Sequence, residues 1–331
     1  MIWTTRRQSK KKAARKRSRD WKRYNKFRRN EYGLTLPIIA EAAYSTPPPY
    51  KVKEQGTVGR PPAEPRTVAI CLLIRAIFRL SYRSVYSLLA SSSEYRGICK
   101  IKHLPAYNTV QEHVKDISEG YLNELVAQTS TAIMRVQRRD VCSSACDGTG
   151  IATRKYERWL DVRNSRKSRK RRFVKLHAHI TTDKEMPFFL SAIVTKGYKN
   201  DSPKLEGLMS QKSREITLEN VALDTAYLSR RNAQLVANHG ANPVIKLKSN
   251  TASAHSKGYP AWNRMVHEAW ENKEAYESTY HRRAVIEGIF GALKHRFGRE
   301  IASKIRHNQN VEVLCRVVAW NILALAYHSY A

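Results

Sequence analysis

The sequence predicts an α/β fold, a mixed sheet flanked by helices, preceded by a small all-helical domain and a basic N-terminal arm. Three observations support this reading. From Asp140 onward, short apolar and β-branched runs alternate with stretches of helical periodicity. Between Arg66 and Met134, apolar residues recur at helical spacing. Within the first thirty residues, fourteen Lys and Arg stand against one acid, Asp20.

The arm and its linker take residues 1–63. A basic block that includes Arg15, Lys16, Arg17, Lys22 and Arg23 repels itself when free. Trp21, Tyr24 and Phe27 follow one another at three-residue spacing, which predicts helix once phosphates neutralise the charge. A solvated tail serving only solubility or localisation is the alternative. Prolines from Thr46 to Tyr50 and at Pro61, Pro62 and Pro65 then stop any helix, because proline lacks the amide donor a helix interior needs.

Residues 64–136 read as the helical domain, with helices from Arg66 to Leu80, Tyr82 to Ala90 and Val110 to Met134. A turn at Leu104–Thr109 precedes the third, where Asn108 or Thr109 is placed to cap it. Two helices across a short turn form a unit suited to reading DNA.

Residues 137–331 carry the α/β pattern. Strands are predicted at Val141–Cys146, Phe173–Thr182, Phe188–Thr195, Val221–Leu223 and Pro243–Leu247, and helices at Pro203–Met209, Tyr227–Ala237, Arg283–Phe297 and Val311–Tyr327. Three strands on short turns followed by strands alternating with helices imply a mixed sheet.

Charge narrows the partners. The chain has 60 Lys plus Arg against 28 Asp plus Glu, a formal charge of +32, while 42% of residues are hydrophobic. A folded cationic protein that binds a polyanion is expected. The most apolar stretches, Ala69–Ile74 and Val311–Tyr327, are too short or are interrupted by Arg316 and Asn321, so both read as core helices and no membrane partner is expected. With no apolar secretory signal at the N-terminus, the protein is expected in the cytoplasm with its nucleic acid. Five scattered cysteines lack the close pairs of structural zinc sites; Cys142 and Cys146 read as small buried hydrophobes in a reduced compartment.

Three acids sit where a metal site wants them. Asp147 is expected to end the first strand, followed by Gly148-Thr149-Gly150, and Asp224 repeats the arrangement after Val221-Ala222-Leu223. Glu287 lies on a helix expected to begin near Tyr280. Magnesium takes hard oxygen ligands and keeps waters, so such carboxylates and a substrate phosphate complete its shell. At 100° per residue, Arg283, Glu287 and Lys294 fall within roughly 60° of Tyr280 on one helix face. An Arg283–Glu287 surface pair at i,i+4 is the plain alternative, and it leaves Tyr280 and Lys294 unexplained. Asp140, Asp161, Asp183 and Asp201 are read as ion-pair or turn acids, His177 and His179 as packed or DNA-facing, and Trp262 and Trp270 as core.

Tyr280, Arg283, Glu287 and Lys294 match Y-x2-R-x3-E-x6-K, and the chain thereby resembles bacterial and archaeal insertion-sequence transposases of the DDE type. Asp147-Gly148-Thr149-Gly150 and Leu223-Asp224-Thr225-Ala226-Tyr227 are similar to the segments around that family's first two acids. So are Lys175-Leu176-His177, Val194-Thr195-Lys196-Gly197 and Asp201-Ser202-Pro203 to its intervening strands and turn. The resemblance runs from about Arg60 to Ala331. It implies a ribonuclease-H-like catalytic domain, a metal-binding catalytic triad of Asp147, Asp224 and Glu287, and DNA contacts by Tyr280, Arg283 and Lys294. It further implies Mg2+ with Mn2+ as a substitute, terminal inverted repeats and target DNA as partners, a homodimer that brings two ends together, and a nucleoid-associated location. Only about forty residues separate Leu247 from Glu287, too few for the large β-rich insertion of some members. Two readings remain beside it: a DNA-binding protein without catalysis, such as a decayed copy or regulator, and another ribonuclease-H-like nuclease.

The charge alone generates one test. Each phosphate contact releases counterions, so with about six contacts affinity for duplex DNA should fall roughly 10³-fold between 50 and 200 mM salt. Fluorescence anisotropy across that range measures it, and a flat profile contradicts polyanion binding.

Overall fold

The computed structural model describes residues 21–51, 63–153, 173–183, 185–251 and 257–330. Among the described residues five strands form one sheet: β1 (Val141–Ala152), β2 (Phe173–Thr181), β3 (Phe189–Lys196), β4 (Thr217–Leu223) and β5 (Asn242–Ile245), in the order β3-β2-β1-β4-β5. β2 runs antiparallel to both β1 and β3, whereas β4 pairs parallel with β1 and β5 parallel with β4. This order and these directions are those of a ribonuclease-H-like sheet.

Alternation divides each strand between two cores, because successive side chains point to opposite faces. Ala145, Ile151, Leu176, Ala178 and Ile180 face one core, and Cys142, Cys146, Leu190 and Val221 face the other. α8 (Leu205–Gln211) and α9 (Arg230–Asn238) cover the second face, and Ser229 caps α9 by accepting from the Asn232 amide.

The first core continues into the N-terminal helices without a break. These are α1 (Trp21–Arg29), α2 (Glu31–Ser45), α3 (Pro65–Phe78), α4 (Tyr82–Ser91), α5 (Ser93–Ile98), α6 (Tyr107–His113) and α7 (Glu119–Val136). Local signals set several ends: Glu64 accepts from the Arg66 and Thr67 amides with Pro65 at the first helical position, and Ser81, Ser92 and Ser118 cap α4, α5 and α7.

Several expectations are corrected. The arm is not wholly irregular: α1 is helical because Phe27 buries edge-on against Tyr327, without any phosphate. α2 lay hidden behind Pro37, which sits inside it while Leu36, Ile39 and Ala43 bury. The helix expected from Val110 to Met134 is two, α6 and α7, parted by a 3-10 turn at Val114–Asp116. Neither Asn108 nor Thr109 caps α6, which begins after Ala106. Trp262 is buried, but Trp270 is 54% exposed, since eight residues on a helix leave the two about 80° apart. All five cysteines are free and buried, as read.

Four helices close the chain: α10 (Pro260–Glu271), α11 (Lys273–His281), α12 (Ala284–Phe297) and α13 (Arg306–Ser329). α13 is long and apolar enough to cross a membrane by length and composition, yet Val313, Val317, Val318 and Ile322 are fully buried against protein. It is a core helix, packed on α3, α7 and β3. Asn321 ties it to the sheet, accepting from the Phe189 amide at 2.9 Å and donating to the Phe189 carbonyl at 2.8 Å.

A buried ion pair on α13 organises the chain between α12 and α13. Glu312 and Arg316, each 8% exposed, meet at 2.9 Å. Arg316 also donates to the carbonyls of Gly298 and Glu300, while Glu312 accepts from the Ala302 and Ser303 amides. That segment bonds back to the end of β1, with the Ile301 amide on the Ala152 carbonyl at 2.9 Å.

Breaking a buried pair strands a charge at about 3–5 kcal/mol, against under about 1 kcal/mol for an exposed pair. Glu312→Ala should therefore lower stability by that larger amount in chemical denaturation, and Glu206→Ala, in the exposed pair with Arg231, by much less. Burial raises the Glu312 carboxyl, but Arg75, Arg316 and hydrogen bonds from Ser303 and Ala302 leave it below the ordinary value. A lowered folded value means the stabilisation is complete at neutral pH and is lost as pH falls below the carboxylate range. Melting temperatures from pH 7 down to 3 should drop more steeply for the native chain than for Glu312→Gln.

Candidate active site

Asp147 sits in the middle of a long strand rather than at its end. β1 runs on to Ala152 because its antiparallel ladder with β2 continues through Ala152↔Phe173. On the other side, Cys146 pairs with Leu223 as the last parallel step between β1 and β4. Asp147 and Asp224 each follow that pair directly, on strands about 4.8 Å apart. Asp224 leaves β4 and accepts from the Thr225 amide at 2.8 Å, which starts a short 3-10 turn at Thr225–Tyr227.

The Y-x2-R-x3-E-x6-K residues do not share one continuous helix. α11 ends at His281 and α12 begins at Ala284, with i→i+3 bonds from Arg282 and Arg283 between them. No proline or glycine causes the break. The two halves have different partners instead: Tyr276 on α11 donates to the Ile245 carbonyl of β5 at 2.7 Å, whereas α12 packs on β1.

Beyond the break, Ile286, Ile289, Phe290 and Leu293 bury one face of α12 and present Glu287 and Lys294 beside β1. Arg283 is the connecting group. Its Nη1 donates to Asp147 Oδ2 at 2.6 Å and its Nη2 to Glu287 Oε1 at 3.3 Å, while the guanidinium lies 5.8 Å from the Tyr280 ring centre. Lys294 Nζ donates to Thr149 Oγ1 at 2.7 Å, two residues along β1 from Asp147. All six residues singled out therefore gather at one end of the sheet.

Electrostatics follow from this crowding. Burial raises the Asp147 carboxyl; the Gly148 amide and Arg283 oppose that rise, and the charges of Asp201 and Asp224 add to it. Burial also lowers the Lys294 ammonium, with Arg299 as a further cause. For Arg283, burial lowers the guanidinium, but Tyr280 and Asp147 outweigh it and the net direction is up.

Three hard oxygen donors from β1, β4 and α12 suit a magnesium-like ion. No three of the Asp, Glu, His and Cys side chains among the described residues are drawn close enough to grip one, and Arg283 spans Asp147 and Glu287. The Glu287 side chain is 66% exposed and pairs with Arg283. In donor chemistry Asp147, Asp224 and Glu287 suit a hard divalent cation.

The remaining acids behave mostly as their surroundings predict. Asp183 pairs with Arg139, Asp140 is exposed, and Asp161 lies outside the described residues. His177 and His179 are fully buried on one face. Asp201 does form ion pairs, with Lys175 at 2.6 Å and His177 at 2.7 Å, but it does so directly over Gly148, the residue that follows Asp147. That proximity was not readable from spacing; the alternation of Lys175 and His177 on one strand face was the available signal. In the arm, Lys22 is exposed, while Arg23 lies over the Tyr327 ring at 4.4 Å and donates to the Tyr327 carbonyl. Arg15, Lys16 and Arg17 lie outside the described residues.

The family model described as the transposase DDE domain matches residues 142–322, from the second residue of β1 to within α13. No curated protein and no solved structure matches the chain.

The Arg283 contact makes a measurable difference to Asp147. Removing a guanidinium beside a carboxylate raises its pKa. Carboxyl-carbon NMR titration of Arg283→Met in metal-free protein should find Asp147 protonating at higher pH than in the native chain, and an unchanged midpoint would show the contact to be weak.

Proposed function

The chain belongs to the family of transposases with a DDE domain, and on that premise we propose that it binds the ends of an insertion sequence and catalyses DNA cleavage and strand transfer. The Arg283 guanidinium that bonds both Asp147 and Glu287, with Asp224 one step beyond the same β1–β4 pair as Asp147, carries the proposal.

Asp147, Asp224 and Glu287 would hold Mg2+ or Mn2+. Bound there, a pair of such ions would activate the attacking oxygen and stabilise the leaving one in an in-line displacement at phosphorus. The residues around them handle the DNA. Arg283 and Lys294 flank the acids as phosphate ligands, Arg283 with a planar fork suited to two phosphate oxygens. Tyr280 stacks on or hydrogen-bonds to a nucleotide beside the cleaved bond.

The strand first cut ends in a 3′-hydroxyl, and the same acids then serve its attack on a target phosphodiester. Between β5 and Glu287 the described residues form the helices α10 and α11, so no hairpin route that depends on a β-rich insertion is invoked. The N-terminal helices read the terminal repeats. Among them, α4 and α6 pack together and expose Tyr86 and Tyr107, with Arg83 over the Tyr107 ring at 5.0 Å. Lys22, with Arg15, Lys16 and Arg17, adds sequence-independent phosphate contacts. Holding two ends at once requires a homodimer, and the work belongs in the cytoplasm at the nucleoid, away from any membrane.

Glu287→Gln removes one metal-binding charge at nearly constant shape. It should retain end binding within about twofold and lower cleavage and joining with Mg2+ or Mn2+ by about 10³-fold or more. Undiminished cutting by this variant refutes the assignment. Native protein that cuts without joining is a nuclease of another kind, and native protein that binds without cutting is a regulator.

A further inference from the structure

Glycines leave part of the sheet bare beyond Asp147. Asp147 and Thr149 lie on the β1 face that also carries Ala145 and Ile151, so Gly148 and Gly150 point to the opposite face, as do Lys175 and His177 across the ladder. Phe173, the first residue of β2, sits over this bare backbone. A Cβ at Gly150 would stand 3.1 Å from its ring, and one at Gly197, just past β3, would stand 2.5 Å from it. The Cδ2–Cε2 edge of the ring is what both glycines meet.

Covering bare backbone is one use of such an aromatic, since glycines in sheets are shielded in this way. That use occupies one edge of the ring, and 39% of Phe173 remains exposed. A smaller aliphatic side chain could cover the glycines and leave less apolar surface in water.

The surroundings of the ring add a second aromatic and positive charge. Directly after Gly197, Tyr198 is 72% exposed, and Lys199 Nζ lies 5.4 Å from its ring centre. The turn is closed by the Lys199 amide, which donates to the Lys196 carbonyl at 3.0 Å, and both lysines are exposed. Lys175 Nζ ties this turn to β2 by donating to the Lys199 carbonyl at 3.3 Å. Asp201, two residues on, is paired with Lys175 and His177, so its charge is balanced by groups other than Lys196 and Lys199.

Exposed rings flanked by lysines have the chemistry of a surface for unpaired nucleic acid, in which bases stack on the rings and phosphates meet the cations. A duplex presents no free base face to such a ring. The location agrees with this, because Gly150 is three residues beyond Asp147, about 10 Å along an extended strand. We infer that Phe173 and Tyr198, with Lys196 and Lys199, form a docking surface for an unpaired stretch of DNA strand, on the face of β1 opposite Thr149 and its partner Lys294. The inference takes from the proposed function only that the substrate is DNA, and it requires neither metal nor cleavage.

The test measures binding of a fluorescein-labelled oligothymidylate of about 15 nucleotides, and of a labelled duplex, to metal-free full-length protein by anisotropy across a salt series. Phosphate contacts fade with salt, so extrapolation to about 1 M isolates the stacking contribution. Phe173→Leu, which still covers the glycines, should bind the single strand about 5- to 150-fold more weakly there, the range for stacking one base, with native salt slope and native duplex affinity. Phe173→Tyr should bind as the native chain does. Replacing Lys196 and Lys199 together by Gln should flatten the single-strand slope by about 0.7 per lysine.

Native single-strand affinity in Phe173→Leu overturns the inference, and so does a native slope in the double lysine variant. A loss that Phe173→Leu shows equally for duplex, with a lowered melting temperature, makes the ring a cover for the sheet and overturns it as well. If Phe173→Leu binds natively while the native chain cuts and joins DNA, the surface falls and the proposed function stands. If Glu287→Gln cuts undiminished while Phe173→Leu loses single-strand affinity, the metal assignment falls and the surface stands.

Discussion

The parallel hydrogen-bond ladder between β1 and β4 is the constraint on which the rest of the site depends. β1 is central, with β2 on one side and β4 on the other, and both of its faces are covered by helices. A one-residue slip in such a buried strand would turn every side chain to the opposite face and is therefore strongly opposed. The register that pairs Cys146 with Leu223 is the register that sets Asp147 beside Asp224. Two like charges held that close repel, and the rigid ladder supplies the resistance.

The third acid comes from a helix packed on the core that the sheet shares with the N-terminal helices. α12 leans on β1 through Ile286, Ile289 and Leu293, and the chain beyond it is secured to the end of β1 by the contacts of Glu312 and Arg316. α13, which carries that pair, also packs on α3 and α7. The N-terminal helices and the sheet thus share one core, and Arg296 on α12 reaches the buried Glu31 of α2. A displacement of the helices would be felt at α12, where Glu287 and Lys294 sit.

A net charge of +32 contrasts with the acidity of the centre. The cations close to the acids are few and specifically used: Arg283 on Asp147 and Glu287, Lys175 on Asp201, Lys294 on Thr149. On the proposed function, the excess of positive charge draws DNA and the small acidic centre draws divalent ions locally. Arg283 stands at the boundary between these roles, because the same fork matches a carboxylate or a phosphate.

By itself the sequence pointed to the class of fold, to five strands with the first cut six residues short, and to a polyanionic partner, and it singled out Asp147, Asp224 and Glu287 with their basic neighbours. Those properties are local: strand alternation, helical period and a short spaced motif are written in consecutive residues. Tertiary structure decided the rest. It extended β1 past Asp147 by pairing it with β2, formed α2 despite Pro37 by burying Leu36 and Ile39, and broke the Tyr280–Lys294 segment because α11 and α12 answer to different strands. It also carried Asp201 over Gly148, a contact between residues tens of positions apart. No local pattern encodes such neighbours, since they exist only once the sheet register and the helix packing have been chosen together.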